Sequence, residues 1–504
     1  MIDTKALRQK ILDMAIRGKL VPQDPNDESA SVLLERIREE KQRLIKEGKI
    51  KKNKNDSVIF KGDDNRYYEK VGSQLKDITD EIDLECPRNW TFVRLRDLIE
   101  LISGRDLLPT QYNSDKIGIP YITGASNLLN ERIIINRWTD TPSVVSHKGD
   151  LLITCKGTIG EMVFNNIGDI HIARQIMSIR CIGANSLFIM LVLKYYVSQL
   201  QSGAKSFIPG ISRDDILKLS FIMPPLAEQT RIVNRVEELF EQVDIIEQNQ
   251  ADIDTLYDEF RKRTLTLAIQ GKLVPQDPND EPASVLLERI RAEKKAKLGK
   301  KYVDSYIYKG DDNCYYEHIA TRAQDELVEV PFDLPNNWAW AKLLDIGNFS
   351  SGKTPDMSEP AYWQNGNVQW FTSKDMKTKY LTESQLKITE LAANDMTLYP
   401  ANTLLWVVRS GILKSSLPIC ILKQSATINQ DIKAYQLYQS CMIDYVYYML
   451  KGMEERILDN YVKRITTVHS LKFDELISNL VVPIPPLAEQ KRIVAKINEI
   501  FAIL

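Results

Sequence analysis

The sequence predicts a mixed α/β protein with a pseudo-twofold internal repeat, two globular inserts being joined by long antiparallel coiled-coil helices. Three observations carry this: near-identical segments occur twice, the stretches between them diverge, and an apolar heptad stripe runs through the middle of the chain. GKLVPQDPNDE at 18–28 recurs unchanged at 271–281, and ASVLLERIR at 30–38 recurs at 283–291. KGDDNRYYE at 61–69 returns as KGDDNCYYE at 309–317, and RNW around Trp90 as NNW around Trp338. PPLAEQTRIV at 224–233 returns as PPLAEQKRIV at 485–494. A repeat of this period is a frame of supersecondary units used twice. Equivalent frames holding unlike inserts imply one task performed on two targets.

The order is also circularly closed. Leu504 corresponds to Val243 and Met1 to Asp254, so the chain's end followed by its beginning restores the central frame less residues 244–253. Such closure fits a pseudo-twofold molecule with neighbouring termini. The segments are 1–84, an N-terminal helical region with a hairpin; 85–223, the first insert; 224–332, the central frame; 333–484, the second insert; and 485–504, a distal helix.

The frame helices follow from spacing. Ile232, Val236, Leu239, Val243, Ile246, Gln250, Ile253, Tyr257, Phe260, Thr264 and Leu267 alternate steps of four and three, the coiled-coil period. Pro224 and Pro225 precede the run and Gly271 follows it, suiting a start and a C-cap. The second copy is split between Ile493, Ile497, Ile500 and Leu504 at the end and Leu7, Ile11 and Met14 at the beginning. A helix this long needs a partner, and the other copy, packed antiparallel, is the economical one. ASVLLERIR begins a shorter helix in each half, followed by lysines read as a solvated face. VIFKGDDNRYYEKV reads as a hairpin turning at Gly62–Asn65. The inserts carry short alternating strands, IPYITGASNL and VQWFTSKDM among them, and close on helices near Leu187–Leu200 and Ile443–Leu458. An SxxD-capped or Ser-led element then leads into each PPLAEQ frame.

Composition narrows the class. The 504 residues are 43% hydrophobic and 27% charged, ordinary for a globular protein. No apolar run approaches the ~20 residues of a membrane span, and MIDTKALRQK has no secretory apolar region, so a cytoplasmic location is expected. The six cysteines are scattered, which suits free thiols rather than a disulfide framework. Net charge is −2, but residues 86–223 carry 15 Lys and Arg against 11 Asp and Glu, and residues 335–484 carry 15 against 14. Local positive charge is what phosphate binding requires.

The ordered set resembles the specificity subunits of type I restriction–modification systems. The matching pieces are Asn89, Trp90, Leu95, Asp97 and Ser103-Gly104, with Asn337, Trp338, Leu343, Asp345 and Ser351-Gly352-Lys353-Thr354-Pro355 as the twin. GTIG and SGI, then ARQ and NQD, follow in order, and PPLAEQ.RIV closes each half. The resemblance implies two target-recognition domains, each reading one half of a bipartite asymmetric double-stranded DNA target. It implies frames that dock two methyltransferase subunits and the restriction subunits, S-adenosylmethionine, ATP and Mg being held on those partners and no cofactor on this chain. It implies a non-catalytic member of a DNA methyltransferase/endonuclease complex.

Two rivals are a P-loop ATPase and a helical scaffold that reads no DNA. Gly347 to Thr354 satisfies GxxxxGK[ST], but such a loop must open a helix. Here Pro355 and Pro360 follow, and the twin has Arg105 where Lys353 stands. The histidines (His147, His171, His318, His469) lack zinc-ligand spacing. The DNA-contact candidates are polar or basic residues of insert loops. They are Arg105, Ser126, Asn127, Lys156, Arg174, Gln175 and Lys205 in the first insert, and Lys353, Ser373, Lys374, Arg409, Asn429, Gln430 and Lys463 in the second. Arg, Gln and Asn can read base edges bidentately, while Lys mostly meets phosphate. Asn429 and Gln430 could equally hold a strand turn internally.

Overall fold

The computed structural model describes residues 1–51, 57–81, 86–129, 132–203, 210–464 and 468–504. Two compact units, Met1–Asp252 and Ile253–Leu504, divide the chain, with the boundary inside the helix Leu226–Ile269. That helix has 44 residues, about 66 Å at 1.5 Å per residue.

In the first unit the N-terminal helix Thr4–Ile16 starts at Asp3, whose carboxylate accepts the Ala6 N–H at 2.9 Å. It runs antiparallel beside the long helix. The Ile2 N–H donates to Gln250 Oε1 at 2.9 Å, and Arg8 pairs with Asp244 and Glu247. Ile11, Leu12, Ala15 and Ile16 share one core with Ile232, Val233, Val236 and Val243. In the second unit the C-terminal helix Leu487–Ile503 lies antiparallel beside the end of the long helix: Arg261 covers the Phe501 ring at 6.0 Å, and Gln276 donates to Glu489 at 2.6 Å. Ile493 and Ile497 are buried with Leu265, Ala268 and Ile269.

The apolar stripe is not covered along its whole length. Ile232, Val236, Val243 and Thr264 are buried, and Leu239, Ile246, Leu267, Leu7, Met14 and Ile500 are half-buried, but Ile253, Tyr257 and Phe260 are 46%, 38% and 51% exposed. The expected unbroken seam is corrected here. These three side chains precede Arg261, which meets the C-terminal helix at Phe501.

The inserts are built from small sheets. In the first, Val145–Ser146, Ile170–Ile172, Ile119–Ile122 and Trp138–Thr139 form one sheet whose central pair is parallel. An antiparallel sheet runs Met162–Phe164, Leu151–Thr154, Ile176–Cys181, Ile99–Ser103. The second insert has a five-stranded sheet, Gly347–Ser351, Ile432–Leu437, Leu404–Val407, Ile419–Leu422, Tyr380–Leu381, and a three-stranded one. The latter is Leu386–Ile388, Val368–Phe371, Thr427–Ile428, its last two strands parallel. The closing helices are Ser186–Gly203 and, interrupted at Met453, Ile443–Gly452 with Glu454–Tyr461. Ser212 and Asp215 form the expected reciprocal cap of Arg213–Leu217.

The repeated motifs meet in one lock, made once in each unit. The Trp90 indole donates to Glu228 Oε2 at 2.9 Å, Gln229 Nε2 donates to the Pro224 carbonyl at 2.9 Å, and Arg231 pairs with Asp27. In the second unit Trp338 donates to Glu489 at 2.9 Å, Gln490 donates to the Pro485 carbonyl at 2.9 Å, and Arg492 pairs with Asp280. The Trp ring of each insert is thereby tied to the first turn of the frame helix. Gly271 follows the long helix in the left-handed region (φ +68), and Gly18 follows the N-terminal helix Thr4–Ile16 in the same way (φ +67); each faces the ring of its lock Trp, Trp338 or Trp90.

The hairpins brace the inserts. Ser57–Lys61 pairs with Tyr67–Val71 around a turn in which Asn65 is left-handed (φ 64), and a third strand, Gln74–Asp77, adds to it. Buried Glu69 accepts from Arg94 at 3.0 Å and pairs with Arg96. In the twin, buried Glu317 pairs with Lys342 at 2.7 Å.

Candidate nucleic-acid interface

Each insert gathers its candidates at the carboxyl ends of the parallel strand pair. In the first, the chain leaves Ile119–Ile122 into the turn holding Ser126 and leaves Ile170–Ile172 into Arg174 and Gln175. The Ala173 N–H donates to the Ile122 carbonyl at 2.9 Å, joining the two exits. The Arg105 N–H donates to the Ile172 carbonyl at 2.9 Å, and the Cys155 N–H to the Gln175 carbonyl at 2.8 Å, which brings Arg105 and Lys156 to the same end. The second insert repeats the wiring. The Asn429 N–H donates to Phe371 at 3.0 Å, Lys353 to Ile428 at 2.9 Å and Val408, beside Arg409, to Asp431 at 2.9 Å. Ser373 and Lys374 follow Val368–Phe371, and Arg409 and Lys463 both pair with Ser470 of the strand His469–Leu471.

Arg105, Lys156, Lys353, Lys374, Arg409 and Lys463 are exposed and carry no ion pair among the described residues. Exposed cations left free at the same end of two domains suit a polyanion. Arg174 is exposed but paired, its Nε 2.7 Å from Asp106. Ser126, Gln175 and Gln430 are exposed, Ser373 is half-buried, and Gln430 accepts from the Thr354 hydroxyl. Lys205 lies outside the described residues.

Two candidates are corrected. Asn127 is fully buried: its Oδ1 accepts from the Thr123 N–H at 3.0 Å and hydroxyl at 2.9 Å, and its Nδ2 donates to the Ile134 carbonyl at 2.8 Å. Asn429 is 8% exposed, its Oδ1 accepting the Asp431 N–H at 3.2 Å. Both side chains are engaged in bonds that shape the loop.

The rival chemistries have no geometry behind them. Gly347–Ser351 of the GxxxxGK[ST] pattern is a strand paired with Ile432–Leu437, and the chain after Thr354 is a loop leading to the short 3-10 turn Pro360–Tyr362, so no α-helix N-terminus opens there to meet a phosphate. Among the described residues no group of three His, Cys, Asp or Glu could hold a metal. His171 is buried, and desolvation lowers its pKa; Nδ1 accepts the Val144 N–H at 3.3 Å, and Nε2 is 2.8 Å from the Arg105 carbonyl. Burial pushes the Cys86 thiol up to about 11 and those of Cys181 and Cys420 to about 12, so none is a ready nucleophile. No helix among the described residues is long and apolar enough to cross a membrane.

A family model described as the type I restriction modification DNA specificity domain matches residues 87–255 and again 335–504. The chain belongs to this specificity family. The EcoAI specificity subunit of Escherichia coli is 31% identical over 434 residues, spanning 74% of this chain and 65% of its own length. The EcoEI specificity subunit of the same species is 28% identical over 465 residues, 78% of this chain and 71% of its own. Among solved structures, a chain from a study of complex assembly and conformational transition of the type I R-M system aligns with a TM-score of 0.55. It is 19% identical and covers 83% of this chain and 91% of its own; it supports the fold. Both specificity-domain matches run through an insert into the PPLAEQ helix, so they span the Trp–Glu contact of each lock, while Asp27 and Asp280 lie outside them. The locking residues Glu228, Gln229 and Arg231 escaped the sequence reading of site residues, although their exact recurrence at Glu489, Gln490 and Arg492 was the available signal.

Proposed function

We propose that the chain is the DNA-reading subunit of a type I restriction–modification complex, its two inserts acting as target-recognition domains for the two halves of a bipartite, asymmetric site. The observation that carries this is the pairing of identical locks with unlike surfaces. Both units fix their insert to the frame through the same Trp–Glu and Arg–Asp contacts. Yet each presents a different set of exposed residues at the same end of its parallel pair, Arg105, Ser126, Lys156 and Gln175 against Lys353, Lys374, Arg409 and Gln430. A constant mount with a variable face suits specificity read at base edges.

On this reading the chain divides at 84, 223, 332 and 484, and the long helix with the two terminal helices is an antiparallel coiled-coil spacer between recognition domains. The frames dock two methyltransferase subunits and the restriction subunits, which hold S-adenosylmethionine, ATP and Mg; this chain performs no catalysis and works in the cytoplasm. Methylome sequencing of a host carrying the system tests it. Two unlike half-sites around a fixed unspecified gap are expected, and a single contiguous or strictly palindromic motif would overturn it.

A further inference from the structure

We propose that His171 and Trp370 are positioning residues that hold Arg105 and Lys353 as equivalent phosphate contacts, one in each recognition domain. The inference rests on the DNA-reading function proposed above. Both cations follow a glycine on a turn pressed against the end of the parallel pair. A Cβ on Gly104 would lie 2.0 Å from the Ala173 carbonyl oxygen, and one on Gly352 would lie 2.2 Å from that of Ile428. The N–H of each cationic residue donates to the strand, Arg105 to Ile172 and Lys353 to Ile428, both at 2.9 Å.

The carbonyl of each is held as well, by a side chain. The Arg105 carbonyl accepts from His171 Nε2 at 2.8 Å, and the Lys353 carbonyl accepts from the Trp370 indole Nε1 at 3.1 Å. Neither donor is exposed: His171 is fully buried and Trp370 nearly so. Because His171 Nδ1 accepts the Val144 N–H, the ring proton sits on Nε2 and the bond to Arg105 has a defined donor.

The two donors are not counterparts. His171 pairs with Tyr121 and Trp370 with Thr427, so His171 matches Thr427 and Trp370 matches Tyr121. One domain supplies the N–H from one strand of the parallel pair, and the other domain supplies it from the opposite strand. Unlike residues at unlike positions make the same bond to the same carbonyl. In inserts that differ widely, that coincidence marks the bond, rather than the residue, as what the turn requires. With N–H and C=O both fixed, the backbone is preorganised while the long cationic side chain stays free, which lowers the ordering cost when a phosphate is met.

The test titrates the methyltransferase complex containing this chain with a duplex bearing the target mapped by methylome sequencing, over a salt series. Arg105→Ala and His171→Phe are each expected to weaken binding about five- to tenfold near ~0.1 M salt and to lower the slope of log affinity against log salt by about 0.9. The double variant should bind no more weakly than the weaker single one. Lys353→Ala and Trp370→Phe should behave alike, and His171→Gln, which keeps an N–H donor, should restore binding. Additive losses would overturn the inference, as would clamp variants that bind normally beside weakened Arg105→Ala and Lys353→Ala. Cation variants without effect would overturn it too. If His171→Phe unfolds its domain by circular dichroism, the Lys353 and Trp370 pair decides alone. A wild-type complex with no sequence-selective binding overturns the DNA-reading function itself, whereas additive clamps in a selective complex overturn only this inference.

Discussion

Glu228 and Glu489 are carboxylates buried under a Trp indole, and burial raises the pKa of both despite the indole bond and the nearby Arg231 or Arg492. A carboxyl whose folded-state pKa lies above its unfolded value holds its proton longer in the native state. Its contribution is therefore fully present below the unfolded pKa and is lost as pH rises through the folded one. Glu228→Gln and Glu489→Gln keep an acceptor for the indole and remove the charge. Their stability relative to the unsubstituted chain should grow as pH rises from about 4.3 and level off above the raised pKa, as read from melting temperatures across that range. Parallel curves for variant and parent would contradict it. The repeated AEQ.R string was legible as a signature, but its bonds were not, because Asp27 and Trp90 are far from Glu228 in sequence. Asn127 and Asn429 show the opposite failure. A polar residue in a loop reads equally well as a ligand contact or as an Asx turn, and only the Oδ1 partners in the fold decide.

At the scale of elements, periodicity identified the long helix and its apolar face but not what covers that face. Side-chain spacing fixes which residues align; cover depends on which other side chains pack against them. Hence Ile232 and Ile493 are fully buried while Ile253 and Phe260, on the same predicted stripe, stand open. Ile232→Ala and Ile493→Ala should each cost about 2–4 kcal/mol. Ile253→Ser and Phe260→Ser should stay within about 1 kcal/mol in the isolated chain, since they vacate no core. Urea titrations of the four variants compare them, and equal losses across the stripe would show that its middle is packed in solution. The short insert strands were legible only as strands. Their order joins residues such as Tyr121 and His171, separated by a diverged loop, and no local pattern encodes that pairing.

For the whole molecule, the proposed spacer makes a length prediction. Both units own part of the helix Leu226–Ile269, the boundary falling after Asp252, beside the exposed Ile253 of the stripe. A seven-residue helical insertion there, repeating the local polar and apolar pattern, adds about 10 Å of rise. It returns the helix to within roughly 20° of its starting phase. Duplex DNA rises about 3.4 Å per base pair, so a spacer lying along the duplex should shift the preferred gap between half-sites by about three base pairs. Three base pairs also turn the second half-site by roughly a third of a helical turn. DNA twisting or bending must absorb that, so affinity should fall while the identity of each half-site stays the same. A two-residue insertion turns the helix by roughly 200° at 3.6 residues per turn and should abolish selective binding altogether. Selection from a library of randomised gap lengths reads both outcomes. An unchanged preferred gap, in a lengthened protein that still folds and directs methylation, would mean that the helix does not measure the target.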